Sequence, residues 1–539
     1  MATDRAAAQA PRSLDMIIVG AGFAGLYMLH KARRMGLDAR VLEAGSGAGG
    51  TWYWNRYPGA RCDIESMQYS YQFDEALEQE WHWSEKYAAQ PELLEYVEHV
   101  IQRFGLAEAI QYDTRVEAAH FDETANRWRV RASTGEEFSA RYCVMATGCL
   151  SSANVPHFEN KELFQGPIYH TGQWPHEGVD FTGLRVGVIG TGSSAIQAIP
   201  IIAEQAAELT VFQRTPAFTV PARNRPLTDE EEAAIKADYP SLRARAKQQI
   251  LAFDIQFNER RGSEVGAEEI RAECERRWEM GALNWYGAFA DLLTDPHTNE
   301  IVSDWVRGRI AEIVKDPATA QLLTPKTIFG CKRICADTGY YETFNRANVT
   351  LVDVSEKPIE EFTARGLVVD GREYAFDAIV SATGFDAMTG SLNRIDIRGR
   401  AGQPLREKWA AGPRTYLGLQ AAGFPNLFMI SGPGSPSVLT CMITSIEQHV
   451  EFIADVVEHL GSNGLVSIEP TVVAEDQWVE HVNEVAGGTL LNGCNSWYLG
   501  ANVPGKPRVF MPYVGFPAYA EKCRQIVAAG YEGFALRAA

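Results

Sequence analysis

From Leu14 to Val19 the chain runs LDMIIV, a short, mostly apolar stretch that stops at Gly20-Ala21-Gly22-Phe23-Ala24-Gly25. LYMLHKARRMG then carries its apolar residues at helical spacing, and DARVLEA reads as a second strand ending at Glu43. The pattern returns further along: the strand LRVGVIG, the turn Gly190-Thr191-Gly192-Ser193-Ser194-Ala195, the helix IQAIPIIAEQA and the strand ELTVFQR. Two more apolar runs, Tyr142 to Gly148 and Ala378 to Asp386, predict buried strands ending in Ala-Thr-Gly, and they bracket the second unit. From about Asp229 to Pro317 the chain is rich in Glu, Ala, Arg and Trp, at helical spacing and with few turn signals.

This order predicts an α/β protein with two Rossmann-like domains. The second is inserted into the first and carries a helical insertion of its own. The expected boundaries are 1–145 and 383–539 for the first domain, 146–228 and 318–382 for the second, and 229–317 for the insertion. At 539 residues the chain is too long for one core.

Each glycine has a chemical task in such a turn. Gly20 makes the tight bend, Gly22 lets backbone approach a pyrophosphate, and Gly25 allows close packing of helix on strand. A carboxylate at Glu43 can accept hydrogen bonds from ribose hydroxyls, so the first unit should hold a dinucleotide. The second unit ends in Arg214 and Thr215 instead. A guanidinium and a hydroxyl there bind a 2′-phosphate that a carboxylate would repel, so this site should prefer NADPH to NADH.

Composition removes other classes. A net charge of -19 with pI near 5.1 argues against nucleic acid or an anionic membrane as a partner. No apolar run approaches the roughly 20 residues that span a bilayer. MATDRAAAQAPRSLD lacks the apolar region of a signal peptide and reads as a loose arm, which makes a cytoplasmic location the expectation. Nine scattered cysteines imply no disulfide framework. Cys331 and Cys335, beside Lys332 and Arg333, make a poor metal site, and no metal is expected. The sequence fixes no oligomeric state and is compatible with a monomer.

Two dinucleotide sites fit several flavoenzyme classes. A disulfide reductase needs a cysteine pair at the flavin, and the relevant stretch has only Cys62. Just before the second glycine turn, FQGPIYHTGQWP places Phe164, Gly166, His170 and Trp174 as FxGxxxHxxxWP. This segment resembles the fingerprint of the type I Baeyer–Villiger monooxygenases. So do GGTWYWNRYPGARCDIES (Gly49 to Ser66), the CKR around Lys332, and SWYLGANVPGKPR (Ser496 to Arg508). The resemblance covers nearly the whole chain and is closest to members acting on phenylacetone and on steroids. Without it, an aromatic, a histidine and a tryptophan at these spacings are packing residues as readily as a functional motif.

The resemblance implies FAD on the Glu43 side, NADPH on the Arg214 side, and a small-molecule ketone and O2 as partners. A C4a-peroxyflavin would convert the ketone to an ester or lactone. By the same carry-over, Arg333 is the active-site cation and Asp63 the carboxylate that holds it. The FAD positions are Gly20, Gly22, Ala24, Gly25, Glu43, Thr51, Trp52, Asp63, Tyr69, Val116 and Met442. For NADP they are Gly190 to Ala195, Gln197, Arg214, Thr215, Lys332, Arg333 and Trp497. His170, on the link between domains, is expected to couple their movement and not to transfer protons.

Gly487, Gly488, Gly493, Gly500 and Gly505 around Trp497 suit a mobile lid. Pro433 to Thr440 resembles the substrate loop, with Ser437, Val438, Leu439 and Thr440 facing the ketone. Here Val438, Thr440 and Cys441 depart from the phenylacetone-oxidising members, and Cys149 stands in place of a polar amide near the flavin. A flavin monooxygenase acting on sulfur or nitrogen stays open as an alternative. A non-catalytic redox sensor would need a degraded cofactor site, and both turns are intact.

Overall fold

The computed structural model describes residues 11–538. Of the expected loose arm, the first ten residues lie outside that range. Its end is not loose: Arg12–Val19 forms a single strand in which Arg12 pairs with Phe138 and Ser13 with Ser139.

Two sheets organise the molecule. The first has eight strands, seven of them in the order Asp396–Arg398, Val116–Asp122, Arg127–Ala132, Glu137–Met145, Arg12–Val19, Ala39–Leu42 and Ile110–Gln111; Leu427–Met429 joins beside Glu137–Met145. The second is wholly parallel: Val349–Asp353, Glu208–Gln213, Arg185–Ile189, Ala378–Ser381 and Ile168–His170. The chain therefore leaves the first sheet after Met145, builds the second, and returns after Ser381. Its strands are buried on both faces: one packs against the helix Ser193–Gln205 through Ala195 and Ile199, the other against the small antiparallel sheet Ile359–Phe362, Gly366–Val369 and Arg372–Ala375 through Phe362 and Leu367. Val186, Val188, Val211 and Val380 are all fully buried.

The glycines sit where no side chain fits. A Cβ on Gly20 (φ +104°) would stand 2.6 Å from the Ala146 carbonyl oxygen, and one on Gly25 only 1.8 Å from that of Gly20. The second unit repeats the contact, with Gly190 (φ +113°) 2.4 Å from the carbonyl of Ala382. Both Ala-Thr-Gly segments thus lie directly against a nucleotide turn. Ala195 replaces the third glycine and is fully buried.

The stretch after Asp229 is helical, over Asp229–Gln248, Ala267–Met280, Pro296–Ile313 and Pro317–Leu323. Thr228 and Glu231 close a capping box at its start. Although inserted between strands of the second sheet, it shares its core with the first: Tyr239, Trp278, Trp285 and Val302 belong to the cluster of Met16, Ile18 and Val41. Arg243 grips that side through Glu78 (2.9 Å), the Gln68 carbonyl (2.9 Å) and the Ser70 hydroxyl (2.7 Å).

One cysteine expectation fails. Cys331 is disulfide-bonded to Cys494, with Cα atoms 6.2 Å apart and 163 residues between them in sequence. Cysteine counting could not see it, because the pairing is made by two loops that converge only in the fold. The other seven cysteines are free and buried, Cys335 and Cys149 among them. No cluster among the described residues could hold a metal ion.

Candidate active site

Each nucleotide helix starts directly after its turn, at Phe23 and at Ser193, with no capping side chain and no acid in its first turn. The N–H groups at these ends are therefore free for phosphate. Gly22 faces the Gly50 backbone, where a Cβ would come to 3.4 Å, whereas the space beside Gly192 is open for 4 Å. That cradle, bare of protein atoms, fits a pyrophosphate. Glu43 is buried, and its carboxylate accepts from the N–H groups of Ala21 and Gly45, both at 2.7 Å. Burial raises its pKa and these backbone donors oppose the rise. Each oxygen keeps a free lone pair for a ribose hydroxyl.

On the second unit, Arg214 is exposed at the strand end, and the Thr191 hydroxyl donates to the Thr215 carbonyl (3.1 Å). Lys332 has its pKa lowered by burial and then by the charge of Arg214. Two cations that disfavour one another would both be stabilised by an anion bound beside them, which fits a 2′-phosphate. Ser193 contacts the Cys335 thiol (3.2 Å), and Ser194 lies half-buried beside it. Gln197 has partners within the protein: its amide accepts from the Tyr57 hydroxyl (2.8 Å) and donates to the Arg61 carbonyl (3.0 Å). It ties the second sheet's first helix to the motif segment of the first unit.

Arg333 and Asp63, 270 residues apart, form a two-pronged ion pair. Nε donates to one carboxylate oxygen at 2.6 Å and Nη2 to the other at 2.8 Å, while Nη1 donates to the Val438 carbonyl at 2.9 Å. Burial works against the guanidinium charge, but Asp63, by charge and hydrogen bond, keeps its pKa well above the ordinary value. The Val438 contact fixes the cation to the Ser437–Leu439 turn, whose first residue is strained at φ +45°. Thr440 bonds back to the Ser437 carbonyl (2.8 Å), so the loop is braced from within. Met442 opens a long helix, Met442–Ser462, immediately behind it. Cys149 is buried with its thiol pKa raised, which keeps it unreactive.

Arg333 lines a small cavity of about 40 Å³ with Tyr286, Tyr498, Leu439, Leu491 and Phe253. Sequence reading missed the two tyrosines. Tyr498 follows Trp497 directly, which was a usable signal; Tyr286, whose hydroxyl accepts from the Ile334 N–H (3.2 Å), gave none. A larger cleft, about 690 Å³ and bounded by Tyr27, Lys31, Glu447 and Arg524, contains neither glycine turn nor Arg333 and is not this site.

The remaining expected residues divide between packing and contact. Trp52 donates to the Tyr69 hydroxyl (3.3 Å) and meets it edge-on, Thr51 is exposed at the start of Thr51–Trp54, Ala24 is buried, and Val116 lies in the first sheet's core. Trp497 is half-buried against Tyr498, with ring centres 4.4 Å apart.

Within the fingerprint, Phe164 packs edge-on against Phe362, a Cβ on Gly166 would strike the Asp377 carbonyl at 2.7 Å, and Trp174 packs against Tyr169 and Phe181. His170 Nδ1 accepts from the Gly172 N–H (3.0 Å), and Nε2 faces the Asn154 carbonyl (3.2 Å) and the Thr383 hydroxyl (3.3 Å). Burial lowers its pKa, against the bond to Asn154, so it is a neutral link between the two crossings of the chain. Those crossings also pair with one another, Asn154 N–H to the Gly384 carbonyl (2.9 Å) and Asp386 N–H to that of Ser152 (2.8 Å).

The fold and this geometry define a flavoprotein that also carries a nicotinamide dinucleotide. Residues 17–249 match the family described as pyridine nucleotide-disulphide oxidoreductase. The chain is 41% identical to a Baeyer-Villiger monooxygenase of Pseudooceanicola batsensis, over 96% of this chain and 95% of that protein. It is also 41% identical to a phenazine N-monooxygenase of Lysobacter antibioticus, over 97% of both. An oxidized steroid monooxygenase bound to NADP superposes with a TM-score of 0.93 at 51% identity, covering 98% of this chain and 100% of that one. The chain belongs to the Baeyer–Villiger monooxygenase family and is an FAD- and NADPH-dependent flavoprotein monooxygenase. No helix among the described residues is long and apolar enough to cross a membrane.

Proposed function

We propose that the enzyme inserts one oxygen atom of O2 beside the carbonyl of an apolar ketone, and that Arg333 is the group that makes this possible. When bound, reduced FAD supplies the electrons for activating O2, and NADPH supplies them to FAD. The observation that carries the role of Arg333 is its fork onto Asp63 inside an otherwise apolar cavity. Arginine has five N–H donors. Three are committed to Asp63 and Val438, so two are left to hold the carbonyl oxygen as negative charge develops on it. Asp63 sets the plane of the fork and limits the cost of keeping the cation out of water. Arginine keeps its charge in such a place, where lysine could lose a proton.

Arg214 and Lys332 hold the 2′-phosphate of NADPH in this reading, and Trp497 covers its nicotinamide end. In the same reading the FAD unit is 1–145 with 383–539, the NADPH unit 146–228 with 318–382, and 229–317 the helical insertion; the chain's passage between sheets after Met145 and after Ser381 supports this division. A soluble cytoplasmic enzyme is the natural setting for an acidic chain of this kind.

The cavity's aliphatic and aromatic lining favours aryl-alkyl or bulky cyclic ketones, while its volume, about 40 Å³, is far below that of a pocket enclosing such a molecule. Substrate entry therefore requires Tyr498 and Leu491 to move. A second reading, oxidation of a ring nitrogen, is favoured by the likeness to the phenazine N-monooxygenase. Product analysis with phenylacetone, a cyclic ketone, a steroid ketone and phenazine separates them. Ester or lactone formation supports the first reading; N-oxide alone supports the second. NADPH loss is not a sufficient readout, because uncoupled turnover consumes it too.

A further inference from the structure

Seven of the nine cysteines have thiol pKa values raised by burial, which leaves them as unreactive packing groups. Cys331 and Cys494 are the exception. Cys331 is fully buried and directly precedes Lys332 and Arg333; Cys494 is half-buried and stands three residues before Trp497. Their Cα separation of 6.2 Å lies in the usual range for a disulfide.

Apart from this bond, little joins the two loops. No hydrogen bond among the described residues links 491–497 to 326–333, and Gly493 lies against the Ile328 side chain, where a Cβ would come to 2.3 Å. Tyr498, in turn, walls the cavity that holds Arg333. The sulfur–sulfur bond is thus the covalent tie between the loop bearing the active-site cation and the loop bearing Trp497 and Tyr498, whose far side is held separately by Lys506 on Asp386 and Asn502 on the Phe385 carbonyl.

We propose that Cys331 and Cys494 form a reversible redox-modification site, oxidised by hydrogen peroxide and reduced by dithiols. The disulfide keeps the Trp497 loop closed over NADP(H), and the dithiol frees it. This rests on the reading that the Trp497 loop covers the nicotinamide dinucleotide. The chemistry balances with peroxide as the only oxidant. The half-buried Cys494 sulfur takes one oxygen, the O–O bond breaks, and the other oxygen leaves as water. Cys331 then attacks the sulfenic sulfur, the S–S bond forms, and the second oxygen leaves as water. Two thiols lose two electrons and two protons, and peroxide becomes two waters. A dithiol returns both by thiol–disulfide exchange, starting at Cys494.

A reducing compartment would hold the pair open. A flavoprotein monooxygenase that spills peroxide would close it, and a cavity of about 40 Å³ that cannot open admits no ketone.

The test uses the full-length, FAD-loaded protein, incubated with dithiothreitol or with hydrogen peroxide. Differential alkylation and peptide mass mapping follow the thiols, and stopped-flow displacement follows NADP+ release. Cys331 and Cys494 should change state together while the other seven do not. NADP+ release should be about tenfold slower from the oxidised protein, as expected when a tether keeps a loop at high local concentration. Cys494→Ser should release at the reduced rate before and after peroxide. Free alkylation of both cysteines after peroxide overturns the proposal. So does a bond whose reduction leaves release within about twofold, less than 0.5 kcal/mol. Neither readout uses a ketone, so a wrong substrate assignment would leave this result intact.

Discussion

Replacing Arg333 by alanine tests the proposed chemistry most directly. The change removes a charge and all five donors, including the two that are free to meet the substrate oxygen. Loss of a single well-placed oxyanion donor lowers kcat by about 10²–10³. Loss of two, with their charge, should reduce ester formation by at least about 10³, to the limit of detection. Stability should suffer less. Asp63 loses its partner, but its side chain is 25% exposed and water can replace part of the fork. Roughly 1–3 kcal/mol is the expected loss, seen as a lowered midpoint in thermal unfolding. The glycine turns are untouched, so anaerobic reduction of the flavin by NADPH should stay within about tenfold of the parent, which is about 1.4 kcal/mol. The assay is chromatographic ester yield per NADPH consumed, read beside stopped-flow flavin bleaching. Ester made by Arg333→Ala at a tenth of the parent rate or more would refute the role given to this residue. Arg333→Lys should not rescue, because an ammonium cannot reproduce the fork.

Further outcomes follow from the same geometry. Arg214→Ala and Lys332→Ala should each raise KM for NADPH about tenfold or more while leaving NADH kinetics nearly unchanged, since each removes a charged contact to phosphate; equal effects on both cofactors would remove the 2′-phosphate assignment. Gly192→Ala places its methyl in open space beside the turn, so NADP+ affinity should fall with no change in thermal midpoint. Gly190→Ala drives a methyl to 2.4 Å from the Ala382 carbonyl at φ +113° and should lose both affinity and stability. His449 is fully buried, accepts from the Ser431 N–H (3.1 Å), and has its pKa lowered by burial to about 3. The unfolded chain binds that proton near pH 6.5, so this contribution is whole above pH 6.5 and fades as the pH falls toward 3, at up to about 1.4 kcal/mol per pH unit. In His449→Asn, the acid limb of the thermal-midpoint profile should be shallower.

What was legible in the sequence was what the chain does locally. A glycine turn between an apolar strand and a helix is read from six residues, and the contrast of Glu43 with Arg214 from the strand end that follows. The same locality made Asp229 to Pro317 readable as helices but not as a body packed into the first sheet's core, since the sharing of one core by Trp285 and Met16 is a fact of three dimensions. Asp63 and Arg333 came through resemblance; nothing in their spacing announces a pair 270 residues apart. The disulfide was misread for the same reason, as Cys331 has its nearest sequence neighbour in Cys335 and its bond to Cys494. Gln197 carries contacts that its place after a nucleotide turn did not announce: its amide bonds to Tyr57 and to the Arg61 carbonyl.

The two crossings between the sheets have a mechanical consequence. They do not run as independent strings: Ser152 to Asn154 lies antiparallel to Gly384 to Asp386, stitched by backbone bonds and riveted by His170. Two laced strands form a strap, which flexes readily across its flat face and resists shear along its length. Each strand also starts from the alanine carbonyl that presses on a nucleotide turn, Ala146 on Gly20 and Ala382 on Gly190. Rotation of one sheet against the other would therefore pivot beside both phosphate cradles.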